Sequence, residues 1–161
     1  MEKKQLKISY QLFSENSQLP QDEQELLVHA RKACDYAYAP FSRFKVGAAV
    51  LLEGGEIVLG SNQENKAFPS GLCAERVALF AIGAAGKGAK IRKLAIRATS
   101  ELTKVDAPAM PCGACRQVML EYEQMTDHNM VVLMQGEEGE ILRVEGVANS
   151  LLPFHFDTKF T

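Results

Sequence analysis

The chain has 161 residues, 47% hydrophobic and 24% charged, with a formal net charge of −2. That length suits one core of ordinary size, and no apolar run approaches the roughly 20 residues a bilayer-spanning helix needs, so no membrane partner is expected. Lys and Arg are scattered among acids instead of forming a basic stripe, which argues against a nucleic acid polymer as partner and for a small or neutral ligand.

The first segment, MEKKQLKISYQLFSEN, has no continuous apolar core and no small-residue cleavage pattern, so it does not read as a signal peptide and a cytoplasmic protein is expected. Leu6, Ile8 and Tyr10 alternate like a strand, making residues 1–20 an added edge strand or a loose arm ahead of a domain over 21–161. Residues 21–38 place Leu26, Leu27, Ala30, Ala33, Cys34 and Ala37 at helical spacing, closed by Pro40. VGAAVLL (46–52) and IVLGSN (57–62) flank a Gly-Gly turn and predict a hairpin. A second helix is predicted over 73–86, a buried strand over 90–99 and a third helix over 112–124. MVVLMQ (130–135) and EILRVEG (140–146) predict a second hairpin, and the tail has a short helical possibility before Pro153. The order α-β-β-α-β-α-β-β implies a three-layer α/β domain: a mixed five-stranded sheet with helices on both faces and its last two strands antiparallel.

The helices beginning at 73 and 112 are joined by one strand. Packed on one face of the sheet they run parallel and bring their N-termini together, where ligands bind in open α/β sheets. Cys73 opens one helix, and Cys112 and Cys115 open the other as a C-x-x-C. A redox dithiol would leave Cys73 without a role, whereas three thiolates at helix N-termini, where amides and dipole lower thiol pKa, supply three zinc ligands. Cys34 lies on an apolar helix face and is expected to be inert packing. His29, His128 and His155 lack ligand spacing. Three ligands leave an open position for water or hydroxide, the mark of a catalytic zinc ion.

Glu75, two residues after Cys73, then gains a purpose beyond favouring a helix N-terminus: a carboxylate beside that position can take the water proton and return it to a substrate. Zinc deaminases use this arrangement, with three Cys permitted and the Glu not a ligand. Arg76 can hydrogen-bond the thiolates and offset their charge; the alternative is a surface ion pair.

With AYAPFSRFKVGAAV (37–50), GSNQENKAFPSGLCAER (60–76), PCGACRQ (111–117) and LLPFHF (151–156) in order, the sequence resembles the small homotetrameric zinc-dependent cytidine deaminases. The resemblance spans about residues 21–156. It implies one zinc ion per subunit on Cys73, Cys112 and Cys115, with Glu75 as proton shuttle. It implies that Asn62 and Glu64 hold ribose hydroxyls, where turn chemistry would otherwise explain the Asn. Phe44, which could equally be core, would pack on the pyrimidine, and the Ala74 carbonyl would meet the exocyclic amine. Phe156 would reach a neighbouring subunit's base, completing each site in a homotetramer. Phe68 stands where many relatives carry tyrosine, which puts an intersubunit hydrogen bond in doubt.

The implied reaction, in pyrimidine salvage, is hydrolytic deamination of cytidine and 2′-deoxycytidine to uridine and 2′-deoxyuridine with release of ammonia. Related deaminases of tRNA or polynucleotides resemble a parallel pairing of the last two strands, which the short GEEG turn opposes, and the N-Q-E-N match favours a ribose site over a blasticidin-type substrate. A non-catalytic zinc-binding nucleoside sensor is the alternative from another class; the intact Glu75 and the open ligand position oppose it.

Overall fold

The computed structural model of the protein describes residues 1–86 and 90–156. Helix α1, Gln21–Ala33, follows Pro20, carries Asp22 and Glu23 in its first turn and Arg31 and Lys32 in its last, and buries Leu26, Leu27, Ala30 and Ala33. Charges of these signs at these ends complement the helix dipole. The α-helix is shorter than the predicted span because its end tightens into a 3-10 turn, Cys34–Tyr36, ahead of Pro40. Strands β2, Phe44–Leu52, and β3, Ile57–Ser61, form the predicted hairpin. Helix α2, Ala74–Ala84, strand β4, Ile91–Ser100, helix α3, Gly113–Gln124, and strands β5, Val131–Gln135, and β6, Ile141–Glu145, follow in the expected order. The tail, residues 147–151, makes turns and no helix, with the Leu151 and Leu152 amides both donating to the Val147 carbonyl.

Among the described residues the sheet has six strands, not the five expected. A short strand β1, Gln11–Phe13, pairs antiparallel with β6, giving the order β1-β6-β5-β4-β2-β3. Pairing falls after the alternating Leu6, Ile8 and Tyr10 because residues 11–13 find partners that residues 1–10 lack. Phe13 packs against the core cluster around Leu19, Leu26 and Ile141, and Gln11 accepts a hydrogen bond from Arg143 at 2.9 Å. Leu6, Ile8 and Tyr10 stay exposed.

Among the described strands only β4 and β5 pair in parallel; β5 and β6 are antiparallel, as the short turn requires. Side-chain alternation divides the core. Ala49, Leu51, Ala95 and Leu133 face α1, whereas Val50, Leu94, Ile96, Val132 and Met134 face Leu79 and Ile82 of α2 and Met119 and Leu120 of α3. Each fully buried Leu or Ile contributes about 1.5–3 kcal/mol relative to exposure. These contacts hold α2 and α3 on one face, with their N-termini at the end of the sheet where the parallel strands finish. Among the described residues no helix is long and apolar enough to cross a membrane.

Candidate active site

Cys73 caps the N-terminus of α2 and Cys112 that of α3, both with extended backbone, while Cys115 lies one turn into α3 and is buried. The Sγ atoms of Cys73 and Cys112 are 3.8 Å apart and those of Cys112 and Cys115 3.4 Å, and all three lie within 4.8 Å of one another. Tetrahedral zinc with Zn–S bonds of about 2.3 Å sets its sulfurs about 3.8 Å apart, so the donor set fits this metal. Arg76 Nη2 lies 3.7 Å from Cys73 Sγ and can donate to it. The Cys73 thiol is lowered to about 5 by hydrogen bonding to Cys115, helped by Arg76, while the same bond to Cys73 and burial push Cys115 up.

Glu75 sits in the first turn of α2 and is 3% exposed. Burial is the main reason its carboxyl is raised to about 6, with the Cys73 charge acting in the same direction. Glu75, Cys73 and Cys112 line a cavity of about 870 Å³ together with Phe44, Asn62 and Glu64. The segment from Val105 to Met110, between β4 and α3, closes one side with apolar groups. Among the described residues no Lys or Arg lines this cavity; its carboxylates are Glu64 and Glu75.

Asn62 and Glu64 are both anchored by backbone. The Asn62 side chain accepts from the Val46 amide at 2.8 Å and donates to the Phe44 carbonyl at 2.9 Å, bridging to the start of β2. Glu64 Oε2 accepts from the amides of Phe41 at 2.8 Å and Ser42 at 3.3 Å. The Ser42 hydroxyl, with those amides, holds the Glu64 carboxyl below its ordinary value. One amide N–H of Asn62 and the second oxygen of Glu64 remain for a ligand. Arg43, between Ser42 and Phe44, adopts φ +53, a left-handed conformation that few non-glycine residues take.

Four expected residues stand apart from this cavity wall, buried Cys115 among them. Ala74 is fully buried and its carbonyl oxygen lies against Gly60 in the contact between α2 and β3. Phe156 is 72% exposed in the tail, where its carbonyl accepts from Gln117 at 3.2 Å. Arg76 reaches the cluster through Cys73 Sγ. Phe68 is exposed beside the cavity, with its ring edge-on to Phe41 at 6.0 Å. Cys34 is buried remote from the thiol cluster, its thiol 3.4 Å from the Arg97 carbonyl, and burial raises its pKa.

Sequence reasoning did not foresee that Arg116 and Gln117 grip the tail, nor that Val105–Met110 walls the cavity; neither has a local signature. It also missed a grouping of Glu53, Asp127 and His128 at the opposite end of the sheet. There His128 Nε2 meets the Ile91 carbonyl at 3.1 Å and Lys90 already reaches Glu53 at 3.5 Å.

Residues 20–134 match the family model for the cytidine and deoxycytidylate deaminase zinc-binding region. The chain is 37% identical over 135 residues to a cytidine deaminase of Sporosarcina psychrophila, covering 84% of this chain and 91% of that protein. It is 42% identical over 103 residues to a cytidine deaminase of Mycobacterium tuberculosis, covering 62% and 73%. The crystal structure of cytidine deaminase from Burkholderia pseudomallei superposes with a TM-score of 0.71 at 35% identity, covering 82% of this chain and 97% of that one. The corresponding Mycobacterium tuberculosis structure gives 0.64 at 31% identity, covering 85% and 98%. With thiols at zinc spacing and matches over most of its length, the chain belongs to the cytidine and deoxycytidylate deaminase zinc-binding family.

Proposed function

We propose that the protein is a zinc-dependent cytidine deaminase that converts cytidine and 2′-deoxycytidine to the corresponding uridines in pyrimidine salvage. The observation that carries this reading is the buried Glu75 carboxyl beside three clustered thiols, on the wall of a cavity lined, among the described residues, by no cationic side chain. A 5′-phosphate would meet two carboxylates and no counter-charge there, so a free nucleoside fits better than a nucleotide.

Cys73, Cys112 and Cys115 hold the metal. When bound, zinc supplies a Lewis acid that brings a water toward deprotonation near neutral pH. Arg76, donating to Cys73, offsets part of the thiolate charge that would weaken that acidity. Glu75 accepts a proton from the attacking water and delivers it to ring N3, which makes C4 electrophilic. The water oxygen forms its bond to C4, Glu75 passes the second proton to the exocyclic amine, and the C4–N bond breaks to release ammonia. Burial suits Glu75 to this exchange, because a carboxyl raised toward neutrality both takes and returns a proton. Asn62 and Glu64 hold the sugar through their remaining donor and acceptor, and Phe44 packs on the base.

Exposed Phe156, in a tail held to α3, supports a homotetramer in which each site is covered by a neighbour's aromatic. Residues 21–161 form the catalytic domain and residues 1–20 an extension of it. A site built from three reduced thiols suits the cytoplasm.

The test is uridine formation from cytidine by zinc-loaded protein, followed by loss of cytidine absorbance. Deoxycytidine should also react, and deoxycytidylate should react far more slowly. E75Q should retain zinc, measured by metal analysis, and lose at least about 100-fold in kcat, the scale of a lost general acid and base. A wild type that makes no uridine, or an E75Q that keeps its rate, would overturn the assignment.

A further inference from the structure

Arg116 directly follows Cys115, yet its guanidinium makes two bonds to backbone carbonyls. Nε donates to the Pro111 carbonyl at 2.8 Å and Nη1 to the Leu151 carbonyl at 3.0 Å. Pro111 is buried and immediately precedes Cys112; Leu151 is buried at the root of the tail that runs to Phe156. Two further side chains of α3 hold the same tail. Gln117 Nε2 donates to the Phe156 carbonyl at 3.2 Å, and the buried Glu123 carboxylate accepts from the amides of Val147 at 2.9 Å and Ala148 at 3.2 Å. One helix therefore presents Cys112 and Cys115 from its first turn and grips the tail at three places, but among these anchors Arg116 alone also holds the residue before Cys112.

We propose that Arg116 is a positioning residue that couples the Cys112 thiolate to the tail carrying Phe156, so that zinc retention and nucleoside binding weaken together when it is lost. This rests on the reading above that Cys112 holds zinc and Phe156 covers a neighbouring base. The guanidinium is planar and presents its donors in fixed directions, so two carbonyls bound to it are fixed relative to one another. A lysine offers a compact ammonium on a flexible stem and would hold one carbonyl or the other. Removing the side chain leaves both oxygens without a donor, and each relaxes independently.

The coupling is tested with zinc-loaded full-length protein by two measurements on wild type, R116K, R116A and Q117A. One is the rate of zinc transfer to a colorimetric chelator without substrate; the other is the cytidine Kd by calorimetry, in the E75Q background so that no turnover occurs. R116A should release zinc about 10-fold faster or more, the usual effect of removing a group that orients a metal ligand, and should bind cytidine several-fold more weakly. R116K should show both changes at smaller size, and decides the matter if R116A does not fold. Q117A, which removes the bond to the Phe156 carbonyl, should weaken cytidine binding and release zinc at the wild-type rate. Wild-type zinc release in the Arg116 variants, faster release with unchanged cytidine affinity, or equal release from Q117A and R116A would each overturn the coupling. A wild type that binds zinc and cytidine but forms no uridine would overturn the deaminase reading and leave this comparison intact.

Discussion

At the scale of single residues, Glu64 divides its work between its two oxygens. Oε2 accepts from Phe41 and Ser42 and so shapes the loop before β2, while in the proposed complex the other oxygen would accept from the sugar. E64Q can keep the loop, since an amide oxygen accepts the same two N–H groups, but it turns an NH2 toward the sugar where an acceptor is needed. Losing a hydrogen bond to a charged group should raise the KM for cytidine by roughly 10-fold or more, with kcat and folding stability little changed. Steady-state kinetics beside a denaturation curve checks this; an equal loss in stability would place Glu64 in the fold alone. The candidate role of Glu64 was legible in N-Q-E-N, whereas its loop contacts were not, because they join residues 22 and 23 apart through backbone amides that carry no side-chain identity. The Ala74 carbonyl shows the same limit. Its residue was legible, but where a carbonyl points depends on packing against Gly60.

At the scale of elements, two glycines let helices approach the sheet from opposite sides. A Cβ on Gly60 of β3 would overlap the Ala74 carbonyl oxygen and sit 2.5 Å from the Ala78 nitrogen, both backbone atoms of α2. On Gly47 of β2 it would overlap the Ala30 carbonyl oxygen and sit 2.5 Å from the Cys34 nitrogen, at the end of α1. Neither backbone can yield cheaply, so G60A and G47A should each cost about 1–3 kcal/mol, as overpacked cores do. Their effects on the site should differ. G60A pushes the first turn of α2 outward and carries Cys73 with it, so the folded protein should lose zinc to a weak chelator; G47A strains the other face and should retain zinc. Metal analysis of both variants after dialysis decides it, and equal retention would separate the helix contact from the ligand. The helices themselves were legible because Cys73 and Cys112 each precede apolar residues at helical spacing. Strand β1 was not, because its partners at Ile141–Arg143 lie more than 120 residues away and its own alternation begins too early.

At the scale of the whole molecule, a buried carboxylate joins what the helices do not. Glu23 of α1 is fully buried and accepts from Lys93 of β4 at 2.8 Å and from Arg143 of β6 at 3.1 Å, and Arg143 in turn donates to Gln11 of β1. Lys93 also reaches Asp22 at 2.7 Å. Three elements thus meet at one charge, and the N-terminal strand joins them through Arg143. A buried ion pair can be neutral against a hydrophobic replacement, but removing one partner strands the other charges, at about 3–5 kcal/mol. E23A should therefore destabilise the protein by that amount, whereas Q11A removes one exposed hydrogen bond and should cost about 0.5–1.5 kcal/mol. Asp22 adds a pH dependence. Its carboxyl is held below its ordinary value chiefly by the hydrogen bond from Lys93, so its contribution is present at neutral pH and disappears as pH falls through that depressed value. D22N should remove this acid limb and lower stability at pH 7 by the same amount, a small one because the carboxylate is half exposed and well screened. Urea denaturation of the three variants at neutral and acid pH separates these effects. An E23A that unfolds at the wild-type urea concentration would mean that Lys93 and Arg143 find water or other acids as readily as Glu23, and that β1 is held by its backbone ladder and Phe13 instead.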